Sequence, residues 1–394
     1  MNKHRRLNGL LSVCLAALLL LALALLAGRA AQLPAPGAPA APRETLSPSA
    51  APEPTPHIHR FADESCRCAD CGWLCDHACG FDAEHRCLDC RWLCPHATHS
   101  VEAAACPICG AQFNHHFGMD GLCDECGAQA ELFSAALPDA FYAPAAHSGR
   151  CFTETLTDAS GAEHTIAVWL PWDYDAAAHY NVVLLIHGDG GSCVDWTDEP
   201  KDTDLGEIRF CTVYDQIVER ALCDPFIIVG LNNDGMHYPL YGEALLEETV
   251  LPHLARSYAT WMEGDSHEQI AAAREHIAIG GLSRGSIYTY TFGMTRCMDV
   301  AANFCCFSNG YTTDVTRRLR SEALRGLTVR SYIATVGLKD DYITVRGHRH
   351  CYETLCRTLD AFTDGENARL FEIGEGHNFL TWTASLYDAL LLMF

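Results

Sequence analysis

His276-Ile277-Ala278-Ile279-Gly280-Gly281-Leu282-Ser283-Arg284-Gly285-Ser286 carries three signals in eleven residues. Ile277-Ala278-Ile279 is apolar and β-branched, which predicts a short buried strand. Gly280 and Gly281 end it, and residues 287–294 continue in a helical pattern. Between them, Gly281-Leu282-Ser283-Arg284-Gly285 fits G-x-S-x-G, a sharp strand-to-helix turn that leaves a serine exposed in strained geometry. The flanking glycines are required because the turn brings backbone from both sides too close for a β-carbon. Five such residues recur by chance in many chains; the strand before and the helix after give them meaning.

Outward from this turn, strands and helices alternate. Residues 152–157 and 165–170 read as a hairpin around Asp158-Ala159-Ser160-Gly161. Asn181-Val182-Val183-Leu184-Leu185-Ile186 is an uninterrupted apolar run, as expected of a strand buried on both faces. A helix near 213–222, a strand at 226–229 and a longer helix over 243–261 lead to the strand before Ser283. Further strands are predicted at 303–307, 329–336 and 369–373, with a terminal helix from about Thr381. This order predicts an α/β domain over 137–394, a doubly wound, mostly parallel sheet with helices on both faces.

A serine hydroxyl is a poor nucleophile until a base takes its proton. In doubly wound hydrolases the partners follow in the order serine, acid, histidine, each beyond the end of a strand. Residues 332–336 run into Gly337-Leu338-Lys339-Asp340-Asp341, and residues 370–373 into Gly374-Glu375-Gly376-His377-Asn378-Phe379. The candidate catalytic set is therefore Ser283, His377 and Asp340, with Asp341 as the alternative acid. After the central strand, Ile186-His187-Gly188-Asp189-Gly190-Gly191 has glycines that free backbone N–H groups to face developing negative charge. The candidate oxyanion donors are the N–H groups of Asp189 and Arg284, and one such donor is typically worth roughly 10²–10³ in rate. His187 reads as structural, Asp341 as a solvated neighbour. Trp196 suits either an acyl pocket or the core.

On these residues the chain from about 150 to its end resembles an esterase family of α/β hydrolases. That family includes feruloyl esterase modules, enterochelin esterases, S-formylglutathione hydrolases and mycolyltransferases. The matching pieces are Leu185 to Ser192 with Asp195-Trp196, residues 227–232, Gly280 to Gly285, Gly337 to Asp340, and Gly376-His377-Asn378-Phe379 with Trp382. Spacing from Gly337 favours Asp340 over Asp341. The resemblance implies hydrolysis of feruloyl, acetyl or other small or carbohydrate-linked esters through an acyl-enzyme, with no cofactor for the chemistry. Acyl transfer on the same fold, or a catalytically silent fold used for binding, are the alternatives. Two departures stand out: Arg284 replaces the usual methionine after the serine, and Ser286 replaces the second glycine of the usual pair. The Arg284 guanidinium either favours an acidic ester or points away while its backbone N–H serves.

The N-terminal third differs in composition. Lys3, His4, Arg5 and Arg6 precede an 18-residue run, Leu10 to Ala27, whose clearly polar member is Ser12. Residues 1–30 therefore read as a signal peptide or membrane anchor, so the rest lies outside the cytoplasm, secreted or tethered. Residues 31–56 contain eight prolines and form a Pro/Ala-rich, semi-extended linker. Residues 57–130 repeat with a period of nineteen: Cys68, Cys71, Cys75 and His77 recur as Cys87, Cys90, Cys94 and His96, then as Cys106, Cys109 and His115. With His57, His59, His116, Cys123 and Cys126 these residues supply either an upstream pair and a C-x-x-C for each of four zinc-ribbon-like modules, or adjacent C-x-x-C pairs that share an ion as Cys₄ sites with the histidines spare. Disulfides are the competing reading in an exported chain, but histidines in phase with the cysteines favour structural zinc, which would supply folding energy the small modules lack. The net charge of −23 and only three lysines speak against nucleic acid or anionic lipid as partner. The repeats are better suited to protein contacts, and the membrane is met only through the N-terminal segment.

Overall fold

The chain enters its main sheet through an antiparallel hairpin of β1 (Arg150–Thr157) and β2 (Glu163–Leu170). The Asp158 carboxylate closes the turn by accepting from the N–H groups of Ser160 and Ala162 at 2.8 and 2.9 Å. β3 (Asn181–Ile186) follows, then a small separate ribbon of β4 (Lys201–Thr203) and β5 (Gly206–Ile208). β6 (Phe226–Leu231), β7 (Ile277–Leu282), β8 (Asn303–Phe307), β9 (Ser331–Gly337) and β10 (Ala368–Ile373) complete the main sheet. Its order is β1-β2-β6-β3-β7-β8-β9-β10, parallel from β6 to β10. β2 meets β6 antiparallel.

This computed structural model describes Cys87 and residues 115–394 except 125, 126, 311, 312, 324 and 325. The export segment 1–30, the linker 31–56 and the repeat ligands other than Cys87, His115, His116 and Cys123 lie outside the described residues. Among the described residues, no helix is long and apolar enough to cross a membrane.

Side-chain alternation explains why β3 and β7 sit mid-sheet. Val182, Leu184 and Ile186 of β3, with Ile277 and Ile279 of β7, enter the apolar cluster on one face. Val183 and Leu185, with Ala278 and Leu282, enter the cluster on the other. Each of these valine, leucine and isoleucine side chains stabilises the fold by roughly 1.5–3 kcal/mol when fully buried, so both strands are fixed between helical layers. The same alternation sends Cys305 and Cys306 of β8 to opposite faces. The terminal helix, Phe379–Met393, is buried all round from Leu380 onward; its buried Thr381, Ser385 and Asp388 are met by the Gly376 carbonyl, the Thr381 carbonyl and the Phe133 N–H.

Two helices depart from the expectation of regular α-helix. The helix expected at 243–261 spans Pro239–Ala244, Leu245–Val250 and Leu251–Ser257, with wide π-type turns in the middle segment. Pro252 lacks the N–H for the ordinary ladder and its ring crowds the carbonyl four residues back, so the turn before it widens. The helix expected at 287–294 begins at once after the serine, as Arg284–Tyr288, and widens over Thr289–Gly293. There the Thr289 and Thr295 hydroxyls donate to the carbonyls of Gly285 and Thr291, competing with the backbone ladder. The terminal helix starts at Phe379, not Thr381, because the Asn378 side chain caps it by accepting from the Thr381 N–H.

The described residues between 117 and 130 are not a free-standing tail of the repeat region. Phe117, Met119, Cys123, Ala128 and Ala130 join the same apolar cluster as Trp169 and Tyr387. His116 Nε2 lies 3.1 Å from Asp224 Oδ1, and Arg369 donates to the Met119 carbonyl.

Candidate active site

Ser283 stands just beyond the C-terminal end of β7, in the gap between β3 and β8. Its φ of 51° and ψ of −112° place a non-glycine residue in sparsely populated space. The strain is held by fixed surroundings. The Ser283 N–H donates to the Phe307 carbonyl of β8 at 2.8 Å. A β-carbon on Gly285 would run into the Ile186 carbonyl of β3, so glycine is required where the helix passes under the central strand.

The acid and the histidine come from adjacent loops. Leu338 and Lys339 beyond β9 donate backbone N–H groups to Ile373 at the end of β10 and Glu375 beyond it, so the two loops run side by side. Thr381 Oγ1 donates to the Gly376 carbonyl at 2.6 Å, anchoring the loop that carries His377. His377 Nε2 lies 3.0 Å from Ser283 Oγ, and His377 Nδ1 lies 2.8 Å from Asp340 Oδ2. The Asp340 side chain has no exposed surface, and its Oδ1 accepts from the N–H groups of Tyr342 and Ile343. An acid so held keeps the proton on Nδ1 and the Nε2 lone pair facing the hydroxyl. Asp341 is exposed to solvent. Behind the acid loop, burial pushes the His348 pKa down to about 4 although the Asp340 charge pulls it upward, so this imidazole is neutral near pH 7.

The glycine loop after β3 is held from within. His187 is buried, and its Nδ1 lies 2.6 Å from the Gly188 carbonyl oxygen, to which Asn233 Nδ2 also donates. Across a planar trans peptide the Asp189 N–H points opposite to that carbonyl, away from His187 and Asn233. The Arg284 N–H opens its helix, where backbone donors have no partner within the helix. His187 thus has the structural place expected of it, and Asn233, with no sequence signal of its own, shares that place.

Ser283, His377 and the loop at 188–191 line one cavity of about 470 Å³. Tyr342, Phe379 and Trp382 give it aromatic walls, and Lys201 a cation. Trp382 meets the His377 ring edge-on at 5.1 Å and donates to Ser308 Oγ. Lys201 Nζ lies 2.8 Å from Asp195 Oδ1, with both side chains largely buried, and 5.0 Å over the Phe379 ring. Sequence reading missed Lys201 and Tyr342. One sits on a three-residue strand too short to show a period, the other follows two acidic residues in a loop. Trp196 is core: it is fully buried against Phe210. The Arg284 guanidinium turns to the Asp189 carboxylate, with Nη2 2.6 Å from Oδ2 and Nε against Oδ1, so it is not a cation facing the cavity.

No family model matches the chain. Over 216 residues, 52% of this chain, it is 26% identical to endo-1,4-beta-xylanase Y of Acetivibrio thermocellus, and the match spans 19% of that protein's length. Among solved structures, a mutant of the feruloyl esterase module from Clostridium thermocellum, complexed with sinapinate, superposes with a TM-score of 0.59 at 22% identity, covering 71% of this chain and 96% of that one. A ferulic acid esterase from Anaeromyces mucronatus in complex with ferulic acid gives a TM-score of 0.50 at 17% identity, covering 66% and 96%. The fold is that of these α/β hydrolases.

Proposed function

We propose that this chain is an exported serine carboxylic-ester hydrolase that cleaves hydroxycinnamoyl esters, feruloyl esters first among them, on carbohydrate or other small alcohols. The single observation that carries the reading is the Ser283–His377–Asp340 relay, open to an aromatic-walled cavity. In this reading His377 Nε2 takes the Ser283 proton as Oγ attacks the ester carbonyl. Asp340 steadies the imidazolium, and the N–H groups of Asp189 and Arg284 receive the oxyanion. His377 then hands its proton to the departing alcohol, and a water molecule clears the acyl-enzyme by the reverse route.

Tyr342, Phe379 and Trp382 supply faces on which an aromatic acyl group stacks. Relatives named as feruloyl and ferulic acid esterases, solved with sinapinate and ferulic acid, support the same acyl class. Export rests on residues 1–30, and structural zinc in residues 57–130 on ligand spacing; the chemistry itself uses no cofactor.

Ser283→Ala is the test, with methyl ferulate and p-nitrophenyl acetate as substrates and a fluorophosphonate probe as label. The wild type should hydrolyse both and prefer the ferulate. The variant should lose at least about 10³-fold in kcat and all labelling while remaining folded. Undiminished turnover in Ser283→Ala would remove the assignment.

A further inference from the structure

Arg284 and Asp189 are the two residues whose backbone N–H groups face the oxyanion in the reading above, and their side chains bind each other. Arg284 Nη2 lies 2.6 Å from Asp189 Oδ2 while Nε meets Oδ1, a fork-on-fork contact. The partners come from different elements: Asp189 from the loop after β3, Arg284 from the first position of the helix after β7. The Asp189 loop has glycine at 188, 190 and 191, and Gly190 sits at φ 72°. Such a loop has little rigidity of its own. His187 and Asn233 hold it through the Gly188 carbonyl, and on its outer side the Arg284 fork holds it by the Asp189 side chain.

We infer that the Arg284–Asp189 pair is a clasp that sets the spacing of the two oxyanion donors and cancels the Asp189 charge beside the developing oxyanion. This rests on the serine-esterase reading. Arg284 is here a positioning residue, since its guanidinium touches no reacting atom. A methionine there would leave the acidic loop without its fork, and an unpaired carboxylate so close would oppose the charge that the donors stabilise. Both side chains are about half exposed or more, with 48% of Arg284 and 67% of Asp189 accessible. Their attraction is therefore open to screening by salt.

The experiment compares full-length wild type, Arg284→Met, Asp189→Asn and the double variant on p-nitrophenyl acetate, an uncharged substrate. Thermal unfolding confirms that each is folded. Arg284→Met should lower kcat by about tenfold with KM within about twofold, the signature of support lost in the transition state alone. The double variant should fall no further than Arg284→Met, because both changes break one contact. Raising NaCl should lower wild-type kcat toward that of Arg284→Met and leave the double variant, which carries neither charge, unchanged. A kcat within twofold of wild type in Arg284→Met overturns the clasp, as does a raised KM at unchanged kcat, which would make Arg284 a substrate contact. Multiplying losses in the double variant also overturn it. A wild type that hydrolyses no ester and takes no fluorophosphonate overturns the esterase reading itself, a result distinct from all of these.

Discussion

At the scale of single residues, Ser283 stores strain that its neighbours hold in place. A non-glycine residue in such a conformation costs about 1–3 kcal/mol. The Phe307 carbonyl and the tight passage of Gly285 beneath Ile186 keep it there. Asp340 is the other residue on which much depends. Its fully buried carboxylate is used by His377 on one oxygen and by two backbone donors on the other. Asp340→Asn should keep the fold but present an amide to Nδ1 and favour the wrong imidazole tautomer. Ester hydrolysis should then fall by about 10³–10⁴ in kcat, while Asp341→Asn, altering an exposed side chain, should leave kcat near wild type. Equal losses in the two variants would reassign the acid.

At the scale of elements, the wide-turn segment Leu245–Val250 brings Glu247 beside Asp299 and Glu243, with His267 Nδ1 3.6 Å away and Arg296 nearby. Burial, and after it the charges of Asp299 and Glu243, push its carboxyl from 4.5 up to about 7. A carboxyl that keeps its proton to higher pH in the folded chain stabilises the fold below its ordinary range. That contribution is lost as pH rises through the folded value. Between pH 4.5 and 8 the wild type should therefore lose stability relative to Glu247→Gln, as read by urea unfolding at each pH. Parallel stability curves for the two proteins would count against this. The helix carrying Glu247 also marks a limit of pattern reading. An apolar period tells where a helix packs, but the local pitch of this helix is set by Pro252, and that of the helix after Ser283 by its threonine hydroxyls.

At the scale of the whole molecule, Phe117, Met119, Cys123, Ala128 and Ala130, at the end of the Cys/His-rich stretch, are part of the core that packs against the main sheet. If the four C-x-x-C pairs of residues 57–130 hold zinc as proposed, purified protein should contain about four ions per chain. Chelation should strip them and leave Ser283-dependent hydrolysis intact, since no step at Ser283 draws on a metal. Metal analysis before and after chelation, beside the ester assay, checks both halves. Metal-free protein with no titratable thiols in that region would mean disulfides instead.

The sequence by itself placed the eight strands of the main sheet along the chain but not the β4–β5 ribbon, and it offered the β7–Ser283 turn and the ordered candidates Ser283, Asp340 and His377. These are written in local patterns: apolar runs, glycines at strand ends, and a polar residue just beyond each. Only the tertiary structure decided which side chains meet across those loops. Lys201 against Asp195, Asn233 on the Gly188 carbonyl, and Arg284 on Asp189 are pairs separated by 6, 45 and 95 positions. No local period encodes such a meeting. It follows from β3 and β7 lying side by side in the sheet, which brings the loop after one and the helix after the other to the same edge.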